Sequence, residues 1–384
     1  MVLKSDLKKL NLLLEKFRCL RRYRLFKRPL RTYADWCHLP FVTRDDLRKF
    51  SLKDSVDAPF NITATSGSTA SRLLVYQSRD CYRTHLERQV KIYSSIGLRA
   101  GDRCLNLCSY SMSGGGRIME TAFKVLGMTV IPYGELRGPQ QLAEVLDLIR
   151  TIRPNAINSY VNQVFDIFSP LKKGHGIAKC IVNGEVLPAS FRRTLQKMSG
   201  ADIYNNYGSM EFSGFAIAQS PEEEYLKVFS DGLFLEVVDE KGRAALSGRG
   251  RIVVTDFSNR SMPFLRYVLG DEVELVRKGK ETYVKVLGRS DDYVLIHGEV
   301  ESKRRLEELV LETLAHPHFF FILSKEKPSF KDRIELNILK RPAHQEPLMK
   351  ELKRCLPFLA RVRWVSQDIP RTQTGKFRHF LDMR

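Results

Sequence analysis

The chain has 384 residues, 43% of them hydrophobic, enough for two globular domains of roughly 100 to 200 residues each. Lysine and arginine number 63 against 44 aspartates and glutamates, a formal net charge of +19. The surface therefore attracts anions: nucleotides, CoA, an acidic carrier protein, nucleic acid or an anionic membrane face. The seven cysteines, Cys19, Cys37, Cys81, Cys104, Cys108, Cys180 and Cys355, contain no Cys-x-x-Cys pair, and Cys104 with Cys108 lacks a second cluster to complete a metal site. Reduced, structural thiols in a cytoplasmic protein are the expectation.

The opening MVLKSDLKKLNLLLEKF reads as an amphipathic helix, without the uninterrupted apolar stretch and small-residue cleavage site of a secretory signal. Nothing further on approaches a membrane span. Lys16, Arg18, Arg21, Arg22, Arg24, Lys27, Arg28 and Arg31 follow, interleaved with Phe17, Tyr23, Leu25 and Phe26. They read as a solvated helix face, with a membrane-surface helix or a docking patch for an acidic partner as alternatives. After Phe60–Ala64 comes Thr65-Ser66-Gly67-Ser68-Thr69, read as a loop. Small hydroxyl residues around a glycine let backbone N–H and side-chain O–H groups close on phosphate oxygens. The same composition also makes an ordinary turn.

Alternating strand and helix signals follow. RCLNLCS (103–109) predicts a buried strand, GGGRIMETAFKVLG (114–127) a helix after a glycine-rich turn, and MTVIPYG (128–134) the next strand, a βαβ pattern. QQLAEVLDLIRTIRP, NAINSY and AKCIVNGE give a second helix, an extended segment and another strand. The Asn205–Glu211 stretch then sets an aromatic ring, a tight glycine turn and a carboxylate in what reads as one short loop. Such a loop could stack a base and hold Mg²⁺. It could equally be a strand end whose tyrosine packs in the core.

From about residue 230 the texture becomes β-rich, with LFLEVVD, RIVVTDF and ETYVKVLGR separated by charged turns. Gly270-Asp271 and Gly288-Arg289 fall at predicted strand ends. They offer a carboxylate for vicinal ribose hydroxyls and a guanidinium for phosphate, or simply two charged hairpin turns. After Arg289 a separate unit is predicted: SDDYVLIHGE, the helix ESKRRLEELVLETL, FFFILS, RIELNILK, and a last helix before Val362–Val365. Near the C-terminus, Pro370-Arg371-Thr372-Gln373-Thr374-Gly375-Lys376 puts a lysine on a loop from which it could swing into an anionic site. A basic solvated tail is the alternative.

In this order and at these intervals, the four motifs resemble the adenylate-forming superfamily of acyl-CoA synthetases, peptide-synthetase adenylation domains and luciferases. The closest likeness is to its phenylacetate-CoA ligase-like branch, carried also by CSYSMSGGGRIMETAFKVLGMTVIPYG and SMPFLRYVLGDEVEL. It covers nearly the whole chain. The resemblance implies an α/β fold: a large N-terminal AMP-binding α/β domain with a β-rich lobe over 1–290, and a small mobile α+β C-terminal domain over 291–384. Thr65, Ser66, Gly67, Ser68 and Thr69 would be the phosphate loop, and Asn205 and Tyr207, with Gly208, would flank the adenine. Gly184 and Glu185 would form its other wall, Glu211 would bind Mg²⁺, Asp271 the ribose hydroxyls, and Arg289 ribose or phosphate. Lys376 would be the adenylation lysine, and Asp291 the hinge that swaps it for the Gly298 loop.

The implied chemistry is activation of a carboxylic acid, aromatic by expectation, with ATP to acyl-AMP, followed by transfer to CoA. A phosphopantetheinyl carrier protein is the alternative acceptor. A degenerate nucleotide- or nucleic-acid-binding protein is an alternative of another class, although no nucleic-acid module is recognisable and no such partner is expected. By position, Ser109, Tyr110, Ser111, Tyr160, Asn183 and Asn205 would line the acyl pocket. Two departures from the family pattern stand out. Ala70, Ser71 and Arg72 follow Thr69 where the family has Gly, a variable residue and Pro. Met210 sits where Thr or Ser usually precedes the glutamate.

Overall fold

The structure is a computed structural model. It describes residues 4–17, 28–65, 72–171, 174–184, 187–290, 292–297, 299–325, 332–339, 345–366, 369–370 and 379–383. The basic cluster at 18–27 lies outside them, as do Ser66–Thr69, Glu185, Asp291, Gly298 and Lys376. The described chain is mixed α/β and forms two compact units, Met1–Gly134 with Tyr204–Arg289, and Glu135–Ile203 with Ser290–Arg384. Among the described residues no helix is long and apolar enough to cross a membrane.

In the first unit the helix Lys4–Lys16 turns Leu7, Leu10, Leu13 and Leu14 inward, and all of them join the core of the β-rich lobe. Each such side chain contributes at most about 1.5–3 kcal/mol by burial, so this face is committed to packing. A short helix, Tyr33–Cys37, starts from a reciprocal cap between Thr32 and Asp35. It delivers Tyr33 and Trp36 to the buried Glu236, whose oxygens accept from the phenol and the indole N–H at 2.9 Å each. Arg266, 1% exposed, pairs with the same carboxylate at 3.2 Å and donates to the Cys37 and Leu39 carbonyls at 2.8 Å. A buried charge of this kind is tolerable because every partner is present.

The lobe is built from antiparallel strands: Leu233–Val238 against Gly248–Asp256, then Tyr267–Lys278, Glu281–Arg289, Leu226–Val228, Ser213–Ile217 and Asp202–Ser209. All six residues of Leu233–Val238 are buried, as befits a strand covered on both faces. The predicted βαβ unit is present as Arg103–Asn106, the helix Gly116–Val125 and Thr129–Pro132, with the strands parallel.

The second unit contains the helix Pro139–Ile152, the parallel strands Ala156–Ser159 and Lys179–Asn183, and the helices Val161–Phe168 and Ala189–Ser199. Its C-terminal part holds the hairpin Tyr293–Ile296 and Glu299–Ser302, the helices Lys303–Leu314 and Gln345–Cys355, and a small sheet. In that sheet Arg361–Trp364, Asp332–Ile338, Phe319–Lys325 and Phe380–Asp382 lie side by side. Polar contacts join the parts of this unit: His318 Nε2 meets Asp166 Oδ1 at 2.7 Å, and Ser190 Oγ donates to Glu312 Oε1 at 3.0 Å; the Phe165 ring also packs edge-on against His318, centroids 5.4 Å apart.

Candidate active site

Of the two readings of the Asn205–Glu211 stretch the strand end is the one found, and the placement of Asp271 at a strand end needs correction. Asn205, Tyr207 and Gly208 stand on a strand, Asp202–Ser209, and only Met210–Phe212 form the turn after it. The reason is pairing: Tyr207 sits opposite Ala216 and Gly208 opposite Gly214, with a bulge between Tyr207 and Gly208. Asp271 is inside the strand Tyr267–Lys278 and not at its end, directly opposite Arg289, the last residue of Glu281–Arg289.

That register makes the first constellation. The Tyr207 phenol donates to Asp271 Oδ2 at 2.7 Å, and Arg289 Nη1 donates to Asp271 Oδ1 at 3.2 Å. The Tyr207 ring rests edge-on against Phe215, centroids 4.9 Å apart. Burial, and then the Asp271 carboxylate, push the Tyr207 phenol well above its ordinary pKa, so it remains a hydrogen-bond donor. Gly270, at φ +95, has room for a Cβ only 3.4 Å from the Arg289 guanidinium. The positive φ is what favours glycine at 270, and carboxylate and guanidinium meet here beside an aromatic face, the combination suited to a nucleoside.

The second constellation is Glu211. It is 5% exposed, and its Oε1 accepts from the Tyr267 phenol at 3.0 Å. Oε2 takes no hydrogen bond from the described residues, and an anionic oxygen so placed fits a hard cation such as Mg²⁺. Burial, and then Glu211 itself, raise the Tyr267 pKa, while Arg44 and Arg289 oppose the rise. Both guanidiniums therefore act on this corner of the sheet.

The backbone that carries Glu211 is held from behind. Arg88, fully buried in the helix Arg79–Ser95, donates from Nε to the Gly214 carbonyl at 3.2 Å, from Nη1 to Asp231 O at 2.6 Å and from Nη2 to Phe212 O. Gln89 Nε2 adds a bond to Gly214 O at 2.6 Å. At Gly208 a Cβ would lie 2.3 Å from the Ser213 carbonyl oxygen, so only glycine permits this approach of the two strands.

Of the phosphate-loop residues, Thr65 is described. It is buried, its Oγ1 accepts from Leu73 N at 3.2 Å, and Arg44 Nη2 donates to the same hydroxyl. Arg44 Nε is buried without an acceptor among the described residues. Near the pocket expected for the acid, Ser109 Oγ donates to Ser111 Oγ at 2.9 Å and Asn106 Nδ2 to the Tyr110 hydroxyl at 2.8 Å. Gly114 packs on Ser109 so tightly that a Cβ would collide with its carbonyl. In the second unit Gly184, at φ +74, ends the strand Lys179–Asn183, where Asn183 Nδ2 donates to Asn158 Oδ1 at 2.8 Å. Tyr160, 5% exposed, belongs to that unit too.

No family model matches the chain. Phenylacetate-coenzyme A ligase of Aromatoleum evansii is 25% identical over 398 positions, covering 92% of this chain and 86% of that protein. The Thermus thermophilus ligase of the same name is 24% identical, covering 92% and 88%. The chain is thus similar over most of its length to adenylate-forming enzymes named phenylacetate-CoA ligase. The fold agrees: 2-hydroxyisobutyryl-CoA ligase, solved in its postadenylation state with 2-HIB-AMP, superposes with a TM-score of 0.80 at 18% identity over 99% of this chain and 89% of that one. For this ligase-like chain the sequence reading had missed Arg44, Tyr267 and Arg88, which hold Thr65, Glu211 and the Glu211 turn.

Proposed function

We propose that this phenylacetate-CoA ligase-like chain converts a carboxylic acid and ATP to acyl-AMP and pyrophosphate, then transfers the acyl group to the thiol of CoA, releasing AMP. The observation that carries this reading is the Tyr207–Asp271–Arg289 group, in which Asp271 and Arg289 face each other on adjacent strands and the Tyr207 phenol reaches Asp271, with Glu211 two residues beyond the end of the strand Asp202–Ser209 that carries Tyr207. In the first step the acid's carboxylate oxygen attacks the α-phosphorus and the bond to pyrophosphate breaks. In the second the thiol sulfur attacks the acyl carbon, the bond to AMP breaks, and the thiol proton leaves to solvent.

Asp271 accepts the ribose hydroxyls while Tyr207 and Arg289 keep its carboxylate oriented. Tyr207 and Asn205 border the adenine. Thr65–Thr69 and Arg44 meet the phosphates, and Glu211 holds Mg²⁺, which supplies charge to offset the crowded anions of adenylation. Lys376 approaches the reacting centre as a second positive charge, and the segment 291–384 then turns about Asp291 to withdraw it. Neither a protein nucleophile nor a general base is required. An aromatic acid is the proposed substrate, supported by the relatives named for phenylacetate, and a cytoplasmic location fits the expected reduced thiols.

The test is acid-dependent ATP–pyrophosphate exchange over a panel of aryl and short aliphatic acids. Lys376→Ala should lower exchange by at least about 100-fold, the scale of losing one electrostatic group at a developing charge, yet form thioester from supplied acyl-AMP. Asp291→Pro should do the reverse. Equal loss of both half-reactions in each variant would sink the two-conformation account, and absence of exchange with every acid would sink the activity.

A further inference from the structure

Behind the Glu211 turn lies a cluster that acid activation does not use. Cys81 and His85 stand four residues apart on one face of the helix Arg79–Ser95, and Asp256 ends the strand Gly248–Asp256. All three are fully buried, and their ligand atoms converge. Cys81 Sγ lies 3.4 Å from His85 Nε2 and 3.6 Å from Asp256 Oδ2, and His85 Nε2 lies 3.1 Å from Asp256 Oδ2. We propose that Cys81, His85 and Asp256 form a zinc site, with Cys81 Sγ, His85 Nε2 and Asp256 Oδ2 as the ligands.

The geometry fits a zinc ion. Tetrahedral Zn²⁺ with ordinary bond lengths sets sulfur about 3.6 Å from nitrogen and oxygen, and nitrogen about 3.4 Å from oxygen. The three separations fall within about 0.3 Å of that triangle. Thiolate and carboxylate together offset the charge of a divalent ion, and the buried Arg88 guanidinium, which acts on both groups, adds one positive charge. The soft sulfur with an imidazole favours Zn²⁺ over the oxygen-seeking Mg²⁺ or Ca²⁺.

The outer contacts have the arrangement that aims ligands at a metal. Asp256 Oδ1 accepts from Ser258 N at 2.7 Å and from Ser258 Oγ at 2.5 Å, which points Oδ2 into the cluster. His85 Nδ1 faces Ser213 Oγ at 3.4 Å, which leaves Nε2 for the ion. Three protein ligands leave a fourth position for a water. Through Ser213, whose φ of +58 closes the Glu211 turn, the ion would tie helix, strand and turn together.

The full chain, purified without chelator or affinity metal, should carry about one zinc per molecule by elemental mass spectrometry. X-ray absorption on the unmodified protein should give one sulfur and otherwise nitrogen or oxygen ligands. Cobalt exchanged into the site should show a thiolate-to-metal charge-transfer band that Cys81→Ala removes and Cys37→Ala or Cys355→Ala leaves. A chain that neither carries zinc nor takes it up on titration overturns the proposal in favour of a plain hydrogen-bonded cluster. So does a sulfur-free coordination shell, or a cobalt band that survives Cys81→Ala in a variant that still folds.

Discussion

Asp271 holds two neighbours at once, and both are presented by strands it did not need to resemble in sequence. Tyr207 is 64 positions away and Arg289 is 18, so the trio is invisible to any local pattern and became readable only through the likeness to a known family. Asp271→Ala removes an acceptor from a phenol and from a guanidinium together. It should raise the KM for ATP by about 10- to 100-fold, the scale of losing hydrogen bonds to a charged group, as measured in the pyrophosphate-exchange assay. An unchanged KM would place ribose recognition elsewhere. Arg44 went unread for a different reason. Its own surroundings, the reciprocal Thr43–Asp46 cap, account for a polar, solvated helix start without any ligand. Cys81 was read as a structural thiol because four residues of helix separate it from His85 and a long stretch of chain from Asp256.

At the scale of elements, the βαβ unit and the strands of the lobe were legible because their apolar positions alternate or recur at a helical interval. The helix Arg79–Ser95 was not, because much of the face it buries is polar: His85, Arg88 and Gln89 all lie inside. The buried stripe that normally marks a helix is there satisfied by hydrogen bonds instead of oil. Val161–Phe168 is only eight residues long, about two turns, too short a run for its helical period to stand out in the sequence. Asp202–Ser209 hid behind its Asn, Tyr, Gly and Ser content, which reads as turn, while its pairing with Ser213–Ile217 makes it a strand. That pairing depends on glycine at 208. Gly208→Ala would set a methyl 2.3 Å from the Ser213 carbonyl oxygen and force the strands apart. A loss of about 1–3 kcal/mol should appear in the denaturation midpoint, with adenylation falling as the Glu211 turn shifts. A midpoint unchanged from the parent would mean that the close approach is not maintained in solution.

For the whole molecule, the expected division at 290–291 and the compact units describe the chain differently, since Glu135–Ile203 groups with the C-terminal segment. A turn of residues 291–384 about Asp291 would have to part His318 from Asp166 and Glu312 from Ser190. Asp166→Ala should therefore change the two half-reaction rates in opposite directions, severalfold, because a contact made in one arrangement alone biases the equilibrium between them. Equal changes in both rates, or a fall in thermal stability that accounts for them, would make the contact merely structural. If residues 291–384 turn as proposed, the pair would work as a detent. None of Asp166, Ser190, Glu312 and His318 belongs to the residues proposed to touch acid or nucleotide, so the dwell time of such a cycle would be written in one set of side chains and the choice of substrate in another. The pocket could then be retailored for a new acid without resetting the clock.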